Sequence, residues 1–237
     1  MRTWVNGRLL DRDDAVVNAF DHGLTVGDGA FETVKVVDGV PFALRRHIER
    51  LGRSAAGLGL PHVDREQVWA ACIAVCAQAP VGLHRLRITY TGGIAPLGSD
   101  RGDSEPTLVV AIAPIVRRPD TTSVAVVDWT RNERGALAGL KTTSYAENVV
   151  ALAAAKRLGA SEALFADTQG RLSEGTGSNV FLVVKGELLT PALSTGCLDG
   201  ITRRLVLEWS GAREAELPMS ALDEAEDPLE GALREAS

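Results

Sequence analysis

The sequence predicts an α/β protein in two domains. Three observations predict it: hairpin dipeptides near the start, repeated changes from strand-like to helical period, and one stretch of charge and proline, Val116-Arg117-Arg118-Pro119-Asp120, joining two apolar segments. The boundary falls there, giving a small N-terminal domain over 1–116, a linker over 117–120 and a larger C-terminal domain over 121–237. With 237 residues, 45% of them hydrophobic, the chain is long enough to support a real core.

Asn6-Gly7 between Thr3-Trp4-Val5 and Arg8-Leu9-Leu10 is the dipeptide of a tight hairpin turn. A glycine-punctuated loop, residues 21–29, leads to a strand over 30–37 that Asp38-Gly39 turns back. From Leu44 the period becomes helical, with Leu44, Ile48, Leu51, Ala55 and Leu58 on one stripe. Asp64-Arg65-Glu66-Gln67 has the form of a capping box opening a second helix, which Pro80 and Gly82 end. Segments 85–91 and 107–115 read as buried strands, and the long loop between them carries glycines and Arg101.

The second half reads as a strand over 124–127, a loop over 129–139 and a helix over 145–158 that Gly159 stops. Further strands follow at 162–166, 180–184 and 187–190, and Gly200 and Thr202 lead into a last clear helix.

The totals exclude some classes. A net charge of −6 with no basic block argues against nucleic acid, and no apolar run reaches the length of a membrane span. A cytoplasmic protein working on small molecules is expected. Cys72, Cys76 and Cys197 read as reduced core residues, the four histidines lack metal spacing, and no metal is expected. The four tryptophans, Trp4, Trp69, Trp129 and Trp209, read as packing residues.

Three features carry chemistry. Gly200-Ile201-Thr202 at a helix start suits an anion, because the first amides lack intrahelical partners and the dipole favours negative charge. Helix capping alone also explains it. Lys141, before a Thr-Thr-Ser run, could serve as a Schiff-base nucleophile if its amine is desolvated, or be one surface lysine among several. Glu174 opens a glycine-rich turn, and if buried it needs a cationic partner such as a protonated pyridine nitrogen. Arg50, taken alone, reads as a solvated arginine on a basic helix.

Together these residues resemble a family. Asp21-His22-Gly23 with 27–32, His47-Ile48-Glu49-Arg50-Leu51, Lys141 with Tyr145, Ser173 to Asn179, and Gly200-Ile201-Thr202-Arg203 are similar to the successive motifs of the class IV aminotransferases. The resemblance implies a two-domain fold type IV enzyme of the D-amino-acid aminotransferase kind, with pyridoxal 5′-phosphate (PLP) between the domains and a homodimer as the usual assembly. It implies that Lys141 carries the cofactor and shuttles the proton, that Glu174 pairs with the ring nitrogen and that Tyr145 donates to the phenolic oxygen. Arg50, with the amides of Ile201 and Thr202 and the Thr202 hydroxyl, holds the phosphate. Phe31, Arg101 and Thr143 are the positions it gives to the substrate.

The implied reaction moves an amino group between an amino acid or amine and a 2-oxo acid. The alternative is the related lyase, which releases pyruvate from aminodeoxychorismate to leave 4-aminobenzoate, and a third reading is a PLP-binding protein without turnover. The loop 92–103 has Arg101 but no histidine, unlike many D-amino-acid transaminases, whereas the run Glu174 to Asn179 has the transaminase form. After Arg203 the family continues with a strand, a Ser/Thr-rich turn that completes the phosphate cup and a final helix. Here residues 218–237 offer only a short apolar group, an acidic run and Pro228 to Leu233, so either the cup is truncated or residues are missing near Glu226, the second being favoured.

Overall fold

The computed structural model describes residues 2–117 and 119–225; the sequence stretch from Glu226 onward, where the incomplete cup was expected, lies outside them. These residues divide into two compact units, 2–117 with Leu140–Tyr145, and 119–139 with 146–225. The segment carrying Lys141, which a boundary at 117–120 would leave with the second half, thus groups with the first.

The first unit contains β1 (Arg2–Val5), β2 (Arg8–Asp11), α1 (His22–Thr25), β3 (Gly29–Val37), β4 (Val40–Pro41), α2 (Leu44–Gly57), α3 (Arg65–Cys76), β5 (Leu83–Thr91) and β6 (Thr107–Pro114). The strands form one antiparallel sheet in the order β2-β1-β6-β5-β3-β4. Its two-residue turns are the expected ones: Asn6 and Gly7 have φ of 43° and 88°, Asp38 and Gly39 of 49° and 79°. Asp64 caps α3, its Oδ1 accepting from the amides of Glu66 and Gln67 at 3.0 Å.

Strand alternation gives this sheet two different faces. Val34, Val36, Leu86 and Ile88 form one core with Leu51 and Ala55 of α2 and Val68 and Cys72 of α3. Each large aliphatic side chain buried there contributes roughly 1.5–3 kcal/mol. The other face carries Phe31, Thr33, Arg85, Arg87 and Thr89, since Phe31 pairs with Thr89 and Thr33 with Arg87. Strand β5 is therefore not uniformly buried as its sequence suggested; buried Leu86, Ile88 and Tyr90 alternate with half-buried Arg85, Arg87 and Thr89.

The second unit contains β7 (Val124–Arg131), α4 (Ala146–Arg157), β8 (Glu162–Asp167), β9 (Leu172–Gly175), β10 (Leu182–Val184), β11 (Glu187–Pro191), α5 (Ile201–Trp209), β12 (Arg213–Ala215) and α6 (Ala221–Glu224). It has two three-stranded sheets, β7-β8-β9 and β10-β11-β12. Each includes one parallel pair, β7 with β8 and β11 with β12, and α4 and α5 are the crossover helices that such pairs require. Ala151 and Ala155 let α4 approach Ala163 and Phe165 closely.

Four expectations need correction here. The predicted loop from Trp129 begins as strand, because a register shift between Val126 and Thr130 interrupts β7 without ending it, and Arg131 is its last residue. Glu174 lies in β9 rather than in a turn, and a strand, β12, does follow α5. Trp69, Trp129 and Trp209 are 43%, 47% and 72% exposed, so only partly buried Trp4 packs on a core. Burial pushes the thiols of Cys76 and Cys197 up to about 11, which leaves them protonated at neutral pH.

Candidate active site

In the first unit the site is built around Phe31. Segment Leu140–Tyr145 lies along the start of β3, where the Phe31 amide donates to Lys141 O at 3.0 Å and Thr143 N–H to Gly29 O at 2.8 Å. The Lys141 amide in turn donates to Ser54 Oγ of α2 at 3.0 Å. Lys141 is 4% exposed, and its Nζ lies 4.6 Å from the centre of the Phe31 ring. Tyr145 meets the same ring edge-on, 5.1 Å away at 82°.

Arg87 completes this group, and sequence reasoning missed it. Its guanidinium carbon stacks 3.4 Å from the Phe31 ring centre. Among the described residues it forms no ion pair or hydrogen bond, only this ring contact and longer-range attraction to Tyr145 and Glu32. Burial lowers its pKa to about 10, against the pull of Tyr145 and Glu32 and with the repulsion of Arg85, so it stays cationic at neutral pH. The signal was available: apolar Leu86, Ile88 and Tyr90 alternate with polar partners, which marks a strand with one polar face.

The other substrate candidates have settled partners. Thr143 Oγ1 donates to Gly27 O at 2.8 Å and Gly29 O at 3.2 Å, fastening its segment to the loop. Arg101 grips Asp28 through Nε and Nη2 at 2.6 and 2.7 Å and reaches Gly59 O and Leu58 O at 2.7 and 3.0 Å. Four of its five N–H donors are thereby committed to holding the loop. Burial opposes ionisation of Asp28, but Arg101 and His22 outweigh it and lower its pKa.

Arg50 is not the solvated arginine that its helix suggests. It is 3% exposed, and its Nε and Nη2 donate to Glu32 Oε1 and Oε2, both at 2.8 Å. His47 Nδ1 lies 2.7 Å from Glu32 Oε2, and Glu32 itself is fully buried. Burial would raise the Glu32 pKa; the hydrogen bond and charge of Arg50, then those of His47, pull it down to about 2.

In the second unit Glu174 is held from two sides. Its Oε2 accepts the Leu198 amide at 2.8 Å, and Oε1 lies 3.2 Å from Arg131 Nε, within charge attraction though not aimed for a hydrogen bond. Arg131 also donates to Glu147 and Asn148 and lies over the Phe165 ring. The following turn is organised by buried Glu162, which accepts from the Thr176 hydroxyl and amide and, at 3.0 Å, from Ser178 Oγ. Asn148 Nδ2 donates to Thr176 O, and Asn179 Nδ2 to Leu198 O at 2.8 Å.

That network reaches the start of α5. A side chain at Gly200 would place its Cβ 2.0 Å from Asn179 Oδ1, so any other residue there would push the Asn179 side chain off its bond to Leu198 O. Gly200 is also the N-cap and gives α5 no side-chain cap, so the first-turn amides, those of Ile201 and Thr202 among them, are not covered by it.

The sequence pattern of the amino-transferase class IV family matches residues 29–228. A Methanocaldococcus jannaschii protein, provisionally named a branched-chain-amino-acid aminotransferase, is 32% identical over 94% of this chain and 80% of its own length. Aminodeoxychorismate lyase of Bacillus subtilis is 31% identical over 86% of this chain and 72% of its own. Among solved structures, the fold IV transaminase CpuTA1 from Curtobacterium pusillum is 30% identical, covers 92% of this chain with 78% of its own, and superposes with a TM-score of 0.83. A match to the family pattern over most of the chain, carried by a mixed α/β fold that superposes on a fold IV transaminase, makes this chain a member of the class IV aminotransferase family.

Proposed function

We propose that the protein is a PLP-dependent transaminase that moves the amino group between an amino acid and a 2-oxo acid. The observation that carries the substrate class is the Lys141, Phe31 and Arg87 group: a buried amine and a cation that forms no ion pair among the described residues share one aromatic ring. Arg87 is suited to the carboxylate of an amino acid whose amino group approaches Lys141.

PLP, when bound, supplies an aldehyde that a lysine can hold and a ring that accepts an electron pair from the substrate Cα. The residues fit it. Lys141, shielded from water on the Phe31 ring, holds it and carries the proton removed from Cα. Glu174, fixed by the Leu198 amide, pairs with the ring nitrogen, and Tyr145 donates to the ring oxygen. Arg50, the amides of Ile201 and Thr202 and the Thr202 hydroxyl take the phosphate, since Gly200 lets an anion approach the start of α5.

The lyase reading is supported by the B. subtilis relative, and Arg87 suits a carboxylate of either substrate. The test is to give PLP-loaded protein D-alanine, L-leucine or aminodeoxychorismate, each without any oxo acid. A transaminase releases about one oxo acid per site from an amino acid and stops until an oxo acid is added. Continuous pyruvate release from aminodeoxychorismate, with no response to the amino acids, makes it the lyase and overturns the proposal.

A further inference from the structure

A buried ion pair is weak evidence of stabilisation, because well-packed apolar residues serve a core equally well. The helix-facing side of the first sheet is such a core, yet one polar row crosses it. Glu32 stands on β3 between Ala30 and Val34, all three fully buried. Facing it on α2 are His47 and Arg50, and the same stripe continues one turn on to Ser54, with these three 5%, 3% and 2% exposed.

The geometry of the row is restrictive. Glu32 meets Arg50 fork to fork through Nε and Nη2, which fixes the plane of a side chain that otherwise has four rotatable bonds. His47 Nδ1 meets the same Glu32 oxygen, Oε2, that takes Arg50 Nη2. Ser54 accepts the backbone amide of Lys141 at 3.0 Å, so one helix positions both the Arg50 guanidinium and the lysine backbone.

We infer that Glu32, supported by His47, is the positioning residue that aims Arg50 at the cofactor phosphate. The inference rests on the proposed cofactor. It assigns Glu32 no contact with cofactor or substrate; its effect passes through Arg50, and it therefore concerns the phosphate alone.

The test compares two aldehydes that differ only in that group. Wild-type apoprotein, Glu32→Gln and His47→Gln are titrated with PLP and with pyridoxal, following visible absorption of the bound compound, and apoprotein melting is recorded. Glu32→Gln is expected to weaken PLP binding about tenfold or more and pyridoxal binding less than about twofold, so that the ratio of the two affinities collapses. His47→Gln should move the ratio the same way by about threefold, and it decides the matter alone if Glu32→Gln does not fold.

Parallel weakening of both compounds, or no change in the ratio, overturns the inference. If the wild type binds both and borohydride fixes them to Lys141 while the ratio stays unmoved, the cofactor assignment stands and the role of Glu32 falls. If the wild type binds neither, both fall together.

Discussion

Arg50 and Arg87 belong to opposite faces of one sheet and are satisfied in opposite ways. Arg50 is enclosed on the helix side with a carboxylate across its fork and a histidine sharing one oxygen of that carboxylate. Arg87 stands on the other side with an aromatic ring beneath it and, among the described residues, no carboxylate paired with it. A fixed partner suits an anion that stays; a ring face suits one that comes and goes. An arginine already locked by a neighbour offers its remaining donors in one direction, whereas an arginine laid on a ring keeps its in-plane donors for the substrate.

The severest break of this comparison is Lys141→Ala, which removes the amine that both arginines are proposed to serve. Turnover should fall by about 10⁴-fold or more while the melting temperature stays near that of the wild type, read by steady-state assay and calorimetry. Next is Glu32→Ala, which leaves Arg50 and His47 buried without their acid. It should cost about 3–5 kcal/mol in urea unfolding.

The acid limb of stability sharpens the same point. Glu32 has a native pKa of about 2 against an ordinary 4.5, so its contribution is complete above about pH 4.5 and is lost as pH falls through about 2. Glu32→Gln should flatten that part of the curve, measured by urea midpoints between pH 5 and pH 2. Wild type and variant running parallel there would show that the pair is not linked to folding.

Arg87→Met, on the opposite face, should leave stability within about 0.5 kcal/mol and raise KM for the amino acid about 10- to 100-fold. An unchanged KM would remove the carboxylate role. The smallest effect belongs to Arg101→Met, expected to cost about 1–2 kcal/mol in unfolding and to change KM by less than about threefold. The reverse pattern, stable protein with a large KM effect, would return the substrate role to Arg101.

Local features were legible because local chemistry decides them. Asn6-Gly7, Asp38-Gly39 and the Asp64 cap need only their neighbours, and the α2 stripe needs only its period. What failed was long-range. The partner of Arg50 lies 18 residues away on a strand, and nothing in the helix announces it. Arg131 was hidden by the register shift that interrupts β7, and Glu174 by the glycines after it, which mask a short strand. Arg101 drew attention because it stands in a glycine-rich loop, but Asp28, 73 residues earlier, claims it. The family motifs point to Lys141 and Glu174 by type alone, while their surroundings, Phe31, Arg87 and Arg131, had to come from the fold.

The excursion of Leu140–Tyr145 into the first unit has a topological consequence. The chain crosses from one unit to the other three times, so no single cut divides it into two self-contained pieces. A protease nick at residue 118 would leave a first fragment without the segment that borders its own β3, and a second fragment with that segment as a protruding arm. The bridge between Ala30 and Thr142 and the bonds of Phe31 and Thr143 would still clasp the two. The nicked protein should therefore behave as a split protein that reassembles from its halves, with the lysine delivered in trans.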